Sequence, residues 1–66
     1  MKVWIVLDRR LMAVINIFTD VPVLRDVMTS TFGPLETVES DTQGNPIVLK
    51  ASDGRIFEVA QHFVIG

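Results

Sequence analysis

Apolar residues fall along this chain in short blocks broken by charged and turn-forming residues, and the spacing within each block indicates its secondary structure. Lys2 to Leu7, rich in Val, Ile and Trp and too short for a stable helix, reads as a strand, and Leu11 to Thr19 reads the same way. Asp8-Arg9-Arg10 between them lacks the Gly or Asn of a two-residue primed turn, so the expected connection is a four-residue loop built on a type I turn. Pairing Leu7 with Met12 then sets Ile5 opposite Val14 and Trp4 opposite Ile15. One face of this hairpin carries Val3, Ile5, Leu7, Met12, Val14 and Phe18, with Asn16 its only polar member; the other carries Trp4, Val6, Ala13, Ile15 and Ile17. Both faces are apolar.

A helix follows. Thr19 or Asp20 can cap it, Pro22 suits its first turn, and Gly33-Pro34 ends it. Leu24, Val27, Met28 and Thr31 recur at helical spacing as one stripe, which Phe32 extends toward the sheet; Arg25, Asp26, Thr29 and Ser30 lie off it. Twelve residues span about 18 Å, enough to cover one face of a small sheet and not two.

The second half reads as all-β. Leu35 to Ser40 alternates loosely, Asp41 to Pro46 is a dense cluster of turn formers, and Ile47 to Ala51 and Arg55 to Ile65 flank Ser52-Asp53-Gly54. A three-residue loop with Gly54 in the left-handed conformation aligns Ala51, Leu49 and Ile47 with Arg55, Phe57 and Val59, and places Lys50 and Glu58 together on the opposite face. A slip of one residue would invert every side chain, so this register is the expected one. The inward row Phe57, Val59, Phe63, Ile65 is interrupted by Gln61, which predicts a bend or bulge near Ala60-Gln61. The order is ββαβββ: one α+β domain over residues 1–66, with a helix packed on a curled, mostly antiparallel five-stranded sheet. The pattern leaves open whether that sheet closes partly into a barrel.

So short a chain buries only about 60% of its unfolded surface, and each large apolar side chain left in water forgoes roughly 1.5–3 kcal/mol. With one helix covering one face, the other is expected to expose Trp4, Val6, Ile15 and Ile17, joined by Ile56 and Val64 of the last strand. A patch of that kind on a small protein marks a binding surface, and Trp4 is its natural anchor.

Composition narrows the chemistry. Eight acidic and six basic residues among 66 give a formal charge of −2, and Cys is absent. There is thus no disulfide framework, thiolate nucleophile or Cys-based metal site, and a chain without staples fits a reducing cytoplasm (the host's, for a viral chain). No apolar run approaches the roughly 20 residues of a membrane-spanning helix. His62, the single histidine, has no second His or Cys to pair with, so neither a catalytic pair nor a metal site is expected. Glu36 and Glu39 point to opposite faces of a regular strand and do not converge. No phosphate-binding Gly loop is present, and no cofactor is implied. Arg9 and Arg10 crown the first hairpin. A nucleic-acid binder would add a basic stripe, which an acidic chain lacks.

In its general character (short, free of cysteine and catalytic signatures, rich in interface-type residues) the chain resembles accessory proteins of bacterial viruses and mobile elements, some of which bind and block host enzymes, including immune nucleases. The expected function is a non-enzymatic protein-binding module acting stoichiometrically through Trp4, Val6, Ile15, Ile17, Ile56 and Val64, with help from Arg9 and Arg10. The partner is another protein chain, a foreign target or a second copy. A homo-oligomer joined through an exposed C-terminal edge strand is the alternative, and a small nucleic-acid-binding domain the next.

Overall fold

The computed structural model describes residues 1–65. Its elements are β1 (Lys2–Asp8), β2 (Ala13–Phe18), α1 (Val21–Phe32), β3 (Leu35–Ser40), β4 (Pro46–Ala51) and β5 (Ile56–Phe63). The five strands form one antiparallel sheet in the order β2-β1-β5-β4-β3, and it does not close into a barrel. The C-terminal strand is therefore central, flanked by β1 and β4, and cannot be the exposed edge that the sequence suggested.

The helix joins the two outermost strands, β2 and β3, so it must cross the whole sheet. Four inter-strand gaps of about 4.8 Å make roughly 19 Å, and twelve helical residues rise about 18 Å. Length and span match. Asp20 caps the helix by accepting a hydrogen bond from the Val23 N–H, Pro22 occupies the first turn, and Gly33 (φ 81°) ends it with its N–H on the Thr29 carbonyl. Leu24 and Met28 are buried, and the Phe32 ring lies 4.7 Å from that of Phe57. Val27 and Thr31, expected on the inner stripe, stay exposed at its margin.

The second hairpin has the expected register. Leu49 faces Phe57, Lys50 faces Ile56, and Gly54 adopts a φ of 93° with its N–H on the Ala51 carbonyl. The first hairpin differs. Its loop runs from Arg9 to Met12, one residue later than expected. Asp8 caps it: one carboxylate oxygen accepts the N–H groups of Arg10 and Leu11, at 2.9 and 3.3 Å, and Met12 turns the chain back with a φ of 54°. Asp8 then pairs with Ala13, Leu7 with Val14, Ile5 with Ile17 and Trp4 with Phe18, the register skipping Ile15 at a bulge.

That bulge explains the core. Ile15 and Phe18, three apart, both pack inward, which an unbroken strand forbids; the bulge brings Ile15 onto the core, while Asn16, opposite Val6 on the edge strand, stays exposed to solvent. On β1 the inward row is Trp4 and Val6, because β1 pairs with β5 so that Val6 lies beside Val59 and Asp8 beside Phe57. The core under the helix comprises Val6, Phe18, Leu24, Met28, Leu49, Ala51, Phe57 and Val59, with Trp4, Ile15, Phe32 and Leu35 packed around it. The inward row of β5 ends at Val59. Gln61 turns to the Asp41 carboxylate at 2.8 Å, while Phe63 and Ile65, expected inside, lie beyond the helix in solvent. Pairing of β5 with β1 runs unbroken through Ala60 and Gln61, so no bulge occurs there.

Candidate interaction surface

Side chains alternate across a strand and paired residues share a face, so the face opposite the helix can be read from the pairing. It carries Val3, Ile5 and Leu7 of β1, Ala60 and Ile56 of β5, Val48 of β4, and Val14 and Ile17 of β2. Val3 and Val48 on this face are nevertheless buried. Ile5, Leu7 and Ile56 are half-buried, and Val14 and Ile17 are 53% and 57% exposed. No element of the chain lies over this row among the described residues. An uncovered apolar face therefore exists, as the shortage of helix demanded, but its membership differs from expectation.

Of the expected surface residues, Val6 is buried in the helix-covered core, and Trp4 and Ile15 lie on that side, partly buried against it. Ile17 and Ile56 lie on the open face. Val64, past the end of β5, is half-exposed, and its N–H donates to the Met1 carbonyl at 2.7 Å, continuing the β1–β5 ladder. The indole N–H of Trp4 is buried without a hydrogen-bond acceptor, while the Lys2 ammonium stands 5.6 Å over its ring. Ile5, Leu7 and Val14, missed as surface residues, are the row that alternation alone assigned to the helix side.

Charged residues also stand on the open face. Glu58 lies at its centre, on β5 between Leu7 and Val48, and holds Arg9 at 3.1 Å; Lys50 stands opposite Glu36, and His62 is exposed opposite Val3. A bulge at Val38 sets Glu36 and Glu39 opposite Lys50 and Val48, so the two carboxylates share a face instead of facing apart. Both are exposed. No group of three His, Asp or Glu side chains able to hold a metal ion occurs among the described residues, and no helix is long and apolar enough to cross a membrane.

The edges differ as well. β3 carries Glu36 and Glu39, and its register with β4 shifts twice, at Val38 and again before Ser40; both features discourage pairing with another strand. β2 contains no charged residue and exposes Ala13, Val14, Asn16 and Ile17, with Leu11 and Met12 exposed in the loop before it. At the far end of the sheet the Asp41 carboxylate organises the β3–β4 turn. Desolvation would raise its pKa, but hydrogen bonds from the Asn45 N–H, the Gln61 amide and the Gln43 N–H outweigh that and hold it below the ordinary 3.8.

No family model, curated protein or solved structure matches this chain. Its function must be argued from these surfaces alone.

Proposed function

We propose that this protein is a non-enzymatic binding module whose open sheet face docks on another protein in a fixed stoichiometry. The observation that carries the reading is the row Ile5, Leu7, Val14, Ile17 and Ile56, which no element among the described residues covers. Leaving such side chains partly in water forgoes a fraction of the roughly 1.5–3 kcal/mol that full burial of each would contribute, and summed over five residues that is large beside a core that supplies about 3–5 kcal/mol. A partner that covers the row recovers that energy. The charged groups on and beside the face, the Arg9–Glu58 pair and Lys50 opposite Glu36, give orientation, since complementary charges set register more than affinity. A rigid single-domain wedge acting in this way inhibits by occlusion, as small blockers of host enzymes from bacterial viruses do, and that is the role we assign to it.

The test is affinity capture from the native host with the wild-type chain, the open-face variant Leu7→Ser/Ile17→Ser and a helix-side control, Val23→Ser, whose side chain is also half-exposed. One protein retained in equimolar amount by wild type and control, and lost with the double variant, is the expected result. Equal retention by all three overturns the assignment.

A second reading is self-association, and one observation favours it: β2 is an open, uncharged edge whose antiparallel pairing with the β2 of a second copy would give a continuous two-fold sheet. Sedimentation of the purified chain at micromolar concentration distinguishes the two, a monomer supporting the foreign partner and a dimer the second copy.

A further inference from the structure

The antiparallel pairing of β1 with β5 brings the β1–β2 loop and the β4–β5 loop to the same end of the sheet, where the Arg9 N–H donates to the Ile56 carbonyl at 3.0 Å. Between the loops lies a groove of about 460 Å³ lined by Arg9, Arg10, Asp53, Gly54, Arg55 and Ile56. Arg10 and Arg55 also border a smaller hollow of about 230 Å³ beside it. Three of the chain's six basic residues thus converge on one recess, although only two of them are adjacent in sequence.

Two of these guanidinium groups are held in place. Arg9 is paired with Glu58 at 3.1 Å; Arg55 is paired with Asp53 at 3.2 Å and stacked 5.5 Å over the Phe32 ring. Each uses one nitrogen of its fork on the internal carboxylate, which leaves further N–H donors available. Arg10 has no carboxylate within ion-pair distance of its guanidinium among the described residues, so its fork is free, although the buried Asp8 carboxylate, which accepts the Arg10 and Leu11 backbone N–H groups and lines the smaller hollow, balances the third positive charge at this end. A planar, permanently charged fork matches a carboxylate with two parallel hydrogen bonds, and a fork already fixed by packing loses less freedom on binding than a lysine.

We infer that this groove is a carboxylate-binding site that receives an acidic side chain of the protein docked on the open face. The inference rests on the proposed function for that face, and continuity between the two carries it. Ile56 lines the groove and belongs to the open row, and Glu58, which positions Arg9, stands on the same face. Five strands by seven residues outline about 19 Å by 23 Å, roughly 440 Å² in projection. A standard interface takes about 800 Å² from each partner. An occupant of ordinary size has area to extend past the face, and the groove that Ile56 shares with it is an adjoining surface that offers charged donors. A nucleic-acid backbone fits less well: beyond the three arginines only Lys50, opposite Ile56 and with Glu36 across from it, adjoins the groove, while Lys2 is held against Trp4 and Phe63 and Arg25 bonds Thr37 from the helix, so no long basic track is formed.

The test is a titration of the full ¹⁵N-labelled chain followed by NMR. The probes are a short capped peptide of glutamates and leucines, its glutamine counterpart and inorganic pyrophosphate. The site predicts saturable shifts of the Arg9, Arg10 and Arg55 side-chain N–H signals and of the Gly54 amide with the glutamate peptide alone. Arg10→Ala should weaken binding about tenfold, and Arg10→Lys, which keeps charge and loses the fork, by an intermediate factor. Absence of saturable shifts, or shifts unchanged in Arg10→Ala, overturns the site. Saturation by pyrophosphate without the glutamate peptide overturns it in favour of a phosphate ligand. Leu7→Ser/Ile17→Ser should leave peptide binding intact, so failure in the groove and failure of the open face are read separately.

Discussion

Val6 and Ile17 lie on neighbouring strands, both are apolar, and the fold places them on opposite sides of the sheet. Replacing each with serine separates a covered face from an open one. Val6 is fully buried among Phe18, Leu24, Phe57 and Val59. Removing its side chain from that cluster costs about 1.5–3 kcal/mol, and the new hydroxyl, without an acceptor, adds about 1–3 kcal/mol. The total, about 2.5–6 kcal/mol, is comparable to the whole of the roughly 3–5 kcal/mol that a domain of this length holds in reserve. Ile17 is 57% exposed, so serine there forfeits less than half of a full burial, about 1 kcal/mol. That corresponds to a fall of about 4–8 °C in Tm. Far-UV circular dichroism melts and ¹⁵N–¹H correlation spectra read both effects. Val6→Ser is expected to be unfolded at 25 °C, and Ile17→Ser folded with a dispersed spectrum. A folded Val6→Ser beside an unfolded Ile17→Ser would show that the two faces have been assigned the wrong way round.

Other expectations concern the turns. Gly54 has a φ of 93° with open space where a Cβ would project, so Gly54→Ala should cost only backbone strain, about 1 kcal/mol, visible as a lower urea midpoint; a neutral substitution would contradict the left-handed turn. The Asp41 carboxyl titrates below 3.8 in the folded chain, so its contribution is complete above the unfolded pKa and fades as pH falls through that value toward the lower folded one. Asp41→Asn should therefore narrow the difference in stability between pH 6 and pH 3, measured by urea unfolding at both; an unchanged difference would remove Asp41 as a source of acid sensitivity.

Much of this fold was legible from local signals. Asp20 with Pro22 and Gly33 marked the helix, and Gly54 between two alternating runs selected one register over its neighbour, because the wrong choice would have buried Lys50 or Glu58. The face of β1 was not legible. Its two rows, Val3, Ile5, Leu7 and Trp4, Val6, are equally apolar, so alternation cannot rank them. The ranking comes from pairing with β5, more than fifty residues away in sequence. The bulge at Ile15 had left one trace: Asn16 was the single polar residue in an otherwise apolar row. The register shift sets Asn16 opposite Val6 on an edge strand, where its amide stays in water and is spared the cost of burial without partners. The arginine groove was half visible, since Arg9 and Arg10 stood out while Arg55 joins them only through the strand order.

The claim that the uncovered sheet face is an occupied surface is tested most directly by photo-crosslinking in the cells that make the protein, with benzoylphenylalanine in place of Ile17 and, separately, in place of the helix-side Val23. The account predicts a discrete adduct with a different protein from position 17 and none from position 23. Adducts from both positions alike, or from position 23 alone, would contradict it.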